Sequence, residues 1–302
     1  MFILNLWVAG ALAVEPPADT ASPEAALEPA PPAPPRWPGH VDESSPHYDL
    51  EQMYTAQRHA EGLAESNRRI AAAPDKDLYW LKARFIYEMG ESAEEDAGQD
   101  KEARYKEMLA TTEAGLVLAP GDPHLRFARG IARGRLGTTR GVLASLFMAK
   151  DVEADWLSVA GSSWSYASIN GSEVLPCDAH HALSIYYRLV PDLWLVQVVA
   201  GTRGSLDKSL SYAQHAVTCK PRRIEVHKEL AVTQLCIGTK RKQPEMVAAG
   251  KATAERALTL PAVSAKHHLD RRHLKLLIAD PKMACGYSRD GQQDLDEKKI
   301  AK

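Results

Sequence analysis

Apolar residues recur at helical spacing along most of this chain. In the stretch 205–221, Leu206, Leu210, Ala213 and Val217 step by four, three and four, which places them on one face of an α-helix. Pro221 stops that helix, and Ile224 opens a second amphipathic run, IEVHKELAVTQLCIG. The same period predicts helices over residues 48–73, 78–89, 102–118 and 124–136. Pro74 and Pro120 close two of these, and Asp122-Pro123 supplies an N-cap and a first helical residue for the last. The acidic stretch ESAEEDAGQD between them reads as a solvated connection. The middle of the chain breaks the rhythm. Short helices are expected over 141–150, 154–159, 181–190 and 193–199, with a Gly, Ser and Asn cluster at 161–172 as a loop and Gly201-Thr202-Arg203-Gly204 as a turn.

Two helices, a short proline-marked turn and small residues where helices touch make a helical hairpin, the unit of repeat architectures. The segment Gly115-Leu116-Val117-Leu118-Ala119-Pro120 ends a helix with a small residue, a leucine and a proline. Ala216-Val217-Thr218-Cys219-Lys220-Pro221 does the same with Cys for Leu, and Ala257-Leu258-Thr259-Leu260-Pro261 is one residue shorter. These endings resemble the tetratricopeptide repeat, in which small side chains let paired helices cross within about 8–10 Å. The order TRGVLASLF, YYRLVPDLWLV, AGTRGSLDKSLSYAQHAV is similar to exported repeat proteins that include the periplasmic T-component of some bacterial solute transporters. The ending LPAVSAKHHLDRRHLKLLIADP resembles the same group and the regulator-of-microtubule-dynamics proteins. The resemblance implies an all-α fold of stacked antiparallel helical hairpins over residues 46–290, without a known active site. It also implies a ligand cleft or a protein dock, and self-association.

The first residues change the picture of where such a domain works. Residues 2–13 are apolar and end in Ala11-Leu12-Ala13, a small-x-small pattern of a cleaved export signal, although no Lys or Arg precedes them. Residues 14–45, rich in Pro, Ala and Glu, carry no buried-face pattern and read as a disordered, extended linker. Residues 291–302 form a charged tail. An exported protein in the periplasm or cell envelope is therefore expected, with no membrane span in its mature chain. Net charge is −2, from 37 basic and 39 acidic residues, which disfavours nucleic acid as a partner. An oxidising compartment lets the four cysteines, Cys177, Cys219, Cys236 and Cys285, form two disulfides in any of three connectivities. Cys236 with Cys285 is the favoured pair, because it would pin the C-terminal segment to the helical body.

Candidate chemistry is sparse. Cys177, His180 and His181 crowd together, with Cys177 and His180 spaced i, i+3 so that one helical face could offer both to a metal, and His267, His268, Asp270 and His273 form a second group whose spacing is poor; packed histidines are the better reading. A nucleophile-elbow motif and a phosphate-binding loop are absent, so no cofactor, metal or catalytic residue is assigned. The turn at Gly201–Gly204 could offer backbone N–H groups to an anion beside Arg203. The basic runs at 220–223 and 240–242 read as solvated helix ends. The centre is the most aromatic region. Trp156, Trp164, Tyr166, Tyr186, Tyr187 and Trp194 either pack the core or line a groove, in which Arg188 and Arg203 would orient an acidic group. The expected function is non-enzymatic: a protein-binding scaffold with a concave helical surface. The alternative is a carrier of an apolar or organic-acid small molecule associated with a transporter.

Overall fold

The computed structural model describes residues 41–92 and 101–295. The apolar N-terminal segment, nearly all of the linker, most of the acidic connection and the last residues of the tail lie outside the described residues. Twelve α-helices among those described pack in chain order as an all-α array of antiparallel hairpins. They are α1 (Tyr48–Thr55), α2 (His59–Ala72), α3 (Lys76–Ser92), α4 (Lys101–Leu118), α5 (Pro123–Arg140) and α6 (Ala149–Ala160), followed by α7 (Cys177–Leu189), α8 (Trp194–Ala200), α9 (Leu206–Cys219), α10 (Ile224–Arg241), α11 (Pro244–Thr259) and α12 (Ala265–Ala279). Two small antiparallel hairpins interrupt them: β1 (Tyr166–Ala167) with β2 (Val174–Leu175), and β3 (Tyr287–Ser288) with β4 (Gly291–Gln292).

Local chemistry accounts for several boundaries. Asp122 caps α5 by accepting from the Leu125 N–H at 3.0 Å, with Pro123 in the first turn. Ser205 and Ser264 cap α9 and α12 in the same way. Two boundaries differ from expectation. The single helix expected over 48–73 is two helices, because Gln57 takes a left-handed conformation (φ 58°) and the Arg58 N–H turns back to the Met53 carbonyl. This bend buries Leu50 and Glu51 of α1 and brings Gly62 of α2 against Phe85. The helix expected over 141–150 is a tighter 3-10 turn, Leu143–Met148, that runs into α6.

The largest apolar core joins α1 to α8, through residues such as Leu50, Phe85, Leu125, Val159 and Leu183. Two smaller cores flank α10, one with Leu277, Ala284 and Tyr287 and one with Ala254, Ala257 and Leu274. As the partner of α9, α11 and α12, helix α10 is buried on several faces. Two disulfides brace this region. Cys177–Cys219 joins α7 to α9, and Cys236–Cys285 ties the C-terminal segment to α10. The boundary expected at residue 290 falls inside the β3–β4 hairpin, which continues to a buried Gln293.

The array closes on itself. Helix α12 packs beside α3, and polar contacts stitch the two ends together. Lys266 pairs with Glu88 at 2.6 Å, Arg289 with Glu91 at 2.8 Å, and the Gln57 side chain donates to the Val263 carbonyl at 3.2 Å. The β3–β4 hairpin crosses this junction as a strap. Its Asp290 accepts from Arg135 at 2.8 Å and from Thr138 at 2.6 Å on α5. Gln293 donates to the Thr138 carbonyl and accepts from the Val142 N–H. An open concave groove, as a protein scaffold would need, is thereby bent into a ring.

Close helix crossing makes one position testable. A Cβ on Gly130 of α5 would lie 2.4 Å from the indole nitrogen of Trp156 on α6. Trp156 is buried and donates to the Phe127 carbonyl, so displacing it would break that bond. Gly130→Leu is expected to lower stability by about 1–3 kcal/mol through overpacking. Gly121→Ala, where nothing lies within 4 Å, is expected to leave it nearly unchanged. Urea denaturation of both variants checks this, and equal midpoints for the two would contradict it.

Candidate functional site

The ring surrounds a cavity of about 350 Å³, a size that small-molecule sites commonly have. Its walls differ in character. Helices α5, α6 and α7 supply Phe127, Ile131, Val152, Trp156, Ile185 and Leu189 as an apolar wall. Helices α3, α10 and α12, with the strap, supply Arg84, Glu88, Glu91, Lys228, Lys266 and Arg289 as a charged one.

The charged wall is neutralised from within. Glu91 accepts from Arg135 at 2.6 Å, Arg289 at 2.8 Å and the Tyr105 hydroxyl at 2.7 Å. Burial alone would raise its pKa, but the two guanidinium groups outweigh that and hold the carboxyl down at about 2. Asp270 is gripped by Arg289 and Lys228, which likewise keep it well below the ordinary carboxylate range against its burial. Arg188 makes a two-pronged bond to Glu229 at 2.8 and 3.2 Å, and its remaining nitrogen donates to the carbonyls of Ala284, Cys285 and Tyr287. Lys220 pairs with Asp178 at 2.6 Å and Glu225 at 3.3 Å.

Two groups stand apart from this balance. Burial pushes the His181 imidazole down to about 3, so the ring that lines the cavity is neutral at pH 7, and its Nε2 has no partner. Glu173 moves the other way. Its carboxyl lies 2.7 Å from Arg84, yet burial, with Asp178 and Glu51 adding like charge, lifts it to about 8.

The candidate residues from the sequence do not converge on one site. Trp156, Tyr186 and Arg188 line the cavity. Trp164 and Tyr166 stack on each other 6.1 Å apart, with Tyr166 donating to Glu51. Tyr187 is buried and donates to Glu153. Trp194 is 70% exposed on α8. Most of the Arg188 donors are already engaged, by Glu229 and three carbonyls. Arg203 pairs with Asp192 near the surface, away from the cavity wall. The turn beside it is not an anion cradle: the Gly201 N–H bonds to Gln197, and the Gly204 N–H to Pro191. Lys220, expected at a solvated end, is buried between Asp178 and Glu225, because its helix end abuts α7 and α10.

Several members of the histidine groups are engaged elsewhere. Cys177 is in a disulfide, His267 meets Glu225, and His273 meets the Tyr287 hydroxyl. Among the described residues no group of three or more His, Cys, Asp or Glu is arranged to hold a metal ion, and no helix is long and apolar enough to cross a membrane.

Cavity residues that the sequence did not single out as a site include Trp80, Arg84, Glu88, Glu91 and Arg289. A signal for them was present. Arg84, Glu88 and Glu91 step by four and three on α3, the same period as its apolar face, so charges share the buried side of that helix. Compared with models of known protein families and with curated protein sequences, the chain matches none.

Glu173 gives a pH dependence with a definite sign. Its folded-state pKa of about 8 lies above the ordinary 4.5, so between those values the folded state holds a proton that the unfolded state has lost. Its contribution to stability therefore falls as pH rises from about 4.5 to 8. Glu173→Gln is expected to lose less stability than the unaltered protein between pH 5 and pH 8, read as the change in denaturation midpoint. Parallel curves for the two proteins would contradict the shift.

Proposed function

We propose that this protein is a non-enzymatic binding protein whose ligand is a small, largely apolar molecule held in the central cavity. The observation that carries this reading is the closed ring. With α12 and the strap fastened to α3 and α5, the inner face of the array forms a partly open cavity with one apolar wall, narrower than a groove for a folded partner. Several ionisable groups along the cavity pair with one another, which suits a binding wall better than a set of groups kept free for proton or nucleophile chemistry. Export to an oxidising compartment agrees with the two disulfides. Within that reading, the tetratricopeptide-like organisation and the resemblance to transporter T-components suggest a carrier that hands its ligand to, or receives it from, a transport system of the cell envelope.

A second reading, a protein-docking adaptor, is favoured by one feature outside the ring. Phe147, Trp194, Val198 and Val199 are exposed large apolar residues on the 3-10 turn and on α8, two elements that touch. The two readings are compatible if the carrier docks through this face.

The test is binding of N-phenyl-1-naphthylamine, an uncharged probe whose fluorescence rises in apolar surroundings. Saturable binding at one site per chain is expected. Ile131→Trp, which fills part of the cavity from a partly buried position, is expected to weaken it about tenfold. No saturable binding, or binding unchanged by Ile131→Trp but lost in Trp194→Ser, would overturn the cavity reading.

A further inference from the structure

Some lining residues of the cavity carry buried polar atoms without partners. The indole nitrogen of Trp80 and Nη2 of Arg84 are buried and have no acceptor, although both residues line the cavity. Close by, Oε2 of Glu51 is buried without a donor. Direct contacts hold these groups together: Arg84 bonds Oε1 of Glu51 at 2.5 Å, and its guanidinium lies 5.2 Å from the Trp80 ring. Unpaired buried donors are costly, and native proteins seldom keep them without a partner that completes the site.

We infer that the cavity ligand carries an uncharged polar end, a hydroxyl or an amide, that accepts from Trp80 and Arg84 while its apolar body lies against the α5–α7 wall. This rests on the cavity-binding reading above. The end must be an acceptor, because the free Trp80 and Arg84 atoms are N–H groups. An anionic end is disfavoured because Arg84 is already paired with Glu51, and the Glu173 carboxyl occupies its other side. A cationic end is disfavoured because it would meet the Arg84 guanidinium itself. The apolar wall and a cavity of about 350 Å³ limit the body to a compact hydrocarbon rather than a long lipid chain.

Displacement of N-phenyl-1-naphthylamine from the full chain separates the possibilities. Octanol, octanamide, octanoate, octylamine and octane share one body size and differ at the end group. At pH 8, octanol and octanamide are expected to displace the probe at concentrations at least tenfold below those needed for octanoate, octylamine or octane. Trp80→Phe, which removes the indole N–H and keeps an aromatic ring, is expected to shrink that advantage about fivefold. Octanoate or octylamine binding as tightly as octanol would overturn the inferred end group. Octane matching octanol would overturn it too, by showing that internal water alone satisfies the donors. An octanol advantage unchanged in Trp80→Phe would overturn the placement. These outcomes leave the cavity reading intact, whereas failure of the probe to bind the unaltered protein removes both.

Discussion

The architecture depends on one largely buried guanidinium. Arg289, on the strap, reaches Asp270 of α12 with two bonds and Glu91 of α3 with a third. It is the point at which the two ends of the helical array meet. The apolar cores lie on either side of this junction, one across α1 to α8 and two around α10, so the closure is polar. Ion pairs taken out of water give less net stability than their Coulomb attraction suggests, because desolvation opposes it. Their directionality is a better account of their presence: Arg289 can satisfy Asp270 and Glu91 together only when α12 and α3 stand at one spacing. The Cys236–Cys285 disulfide restricts where the strap can go, and the carbonyls that receive Arg188 fix its start.

Closure changes what the concave surface can do. An open helical array recognises extended or folded partners along its inner face. Here the inner face is a cavity whose α5–α7 side is apolar and whose α3–α10 side is charged yet internally paired. Such a surface removes apolar groups from water without presenting a strong net field to the ligand. The exposed apolar residues of α8 and the preceding 3-10 turn face outward instead, so holding a ligand and meeting a partner would fall to different surfaces.

Helices were legible because their information is local. Apolar period, proline stops and the Asp122-Pro123 start mark α3, α4, α5, α9 and α10 closely. The break at Gln57 was not legible, since no Gly or Pro marks it and the bend follows from tertiary packing. The aromatic residues of the centre were read as a group, but contact order scattered them: Trp156 wedges against Gly130, Tyr187 turns to Glu153, and Trp194 faces outward. Ring closure lies furthest from the sequence. Arg289 meets Glu91 across 198 residues, and nothing local to either residue names its partner. The charges of Arg84, Glu88 and Glu91 on a buried helical face were the available hint that a polar junction had to form there.

Distance measurement across the junction tests closure most directly. Spin labels at two exposed positions, Arg68 on α2 and Lys275 on α12, report the gap by double electron–electron resonance. The account requires one narrow distance distribution in the otherwise unaltered protein and a broader, longer one in Arg289→Gln, with the disulfides intact in both. A broad distribution before any change at Arg289, or a narrow one that survives it, would contradict a ring held shut by this side chain.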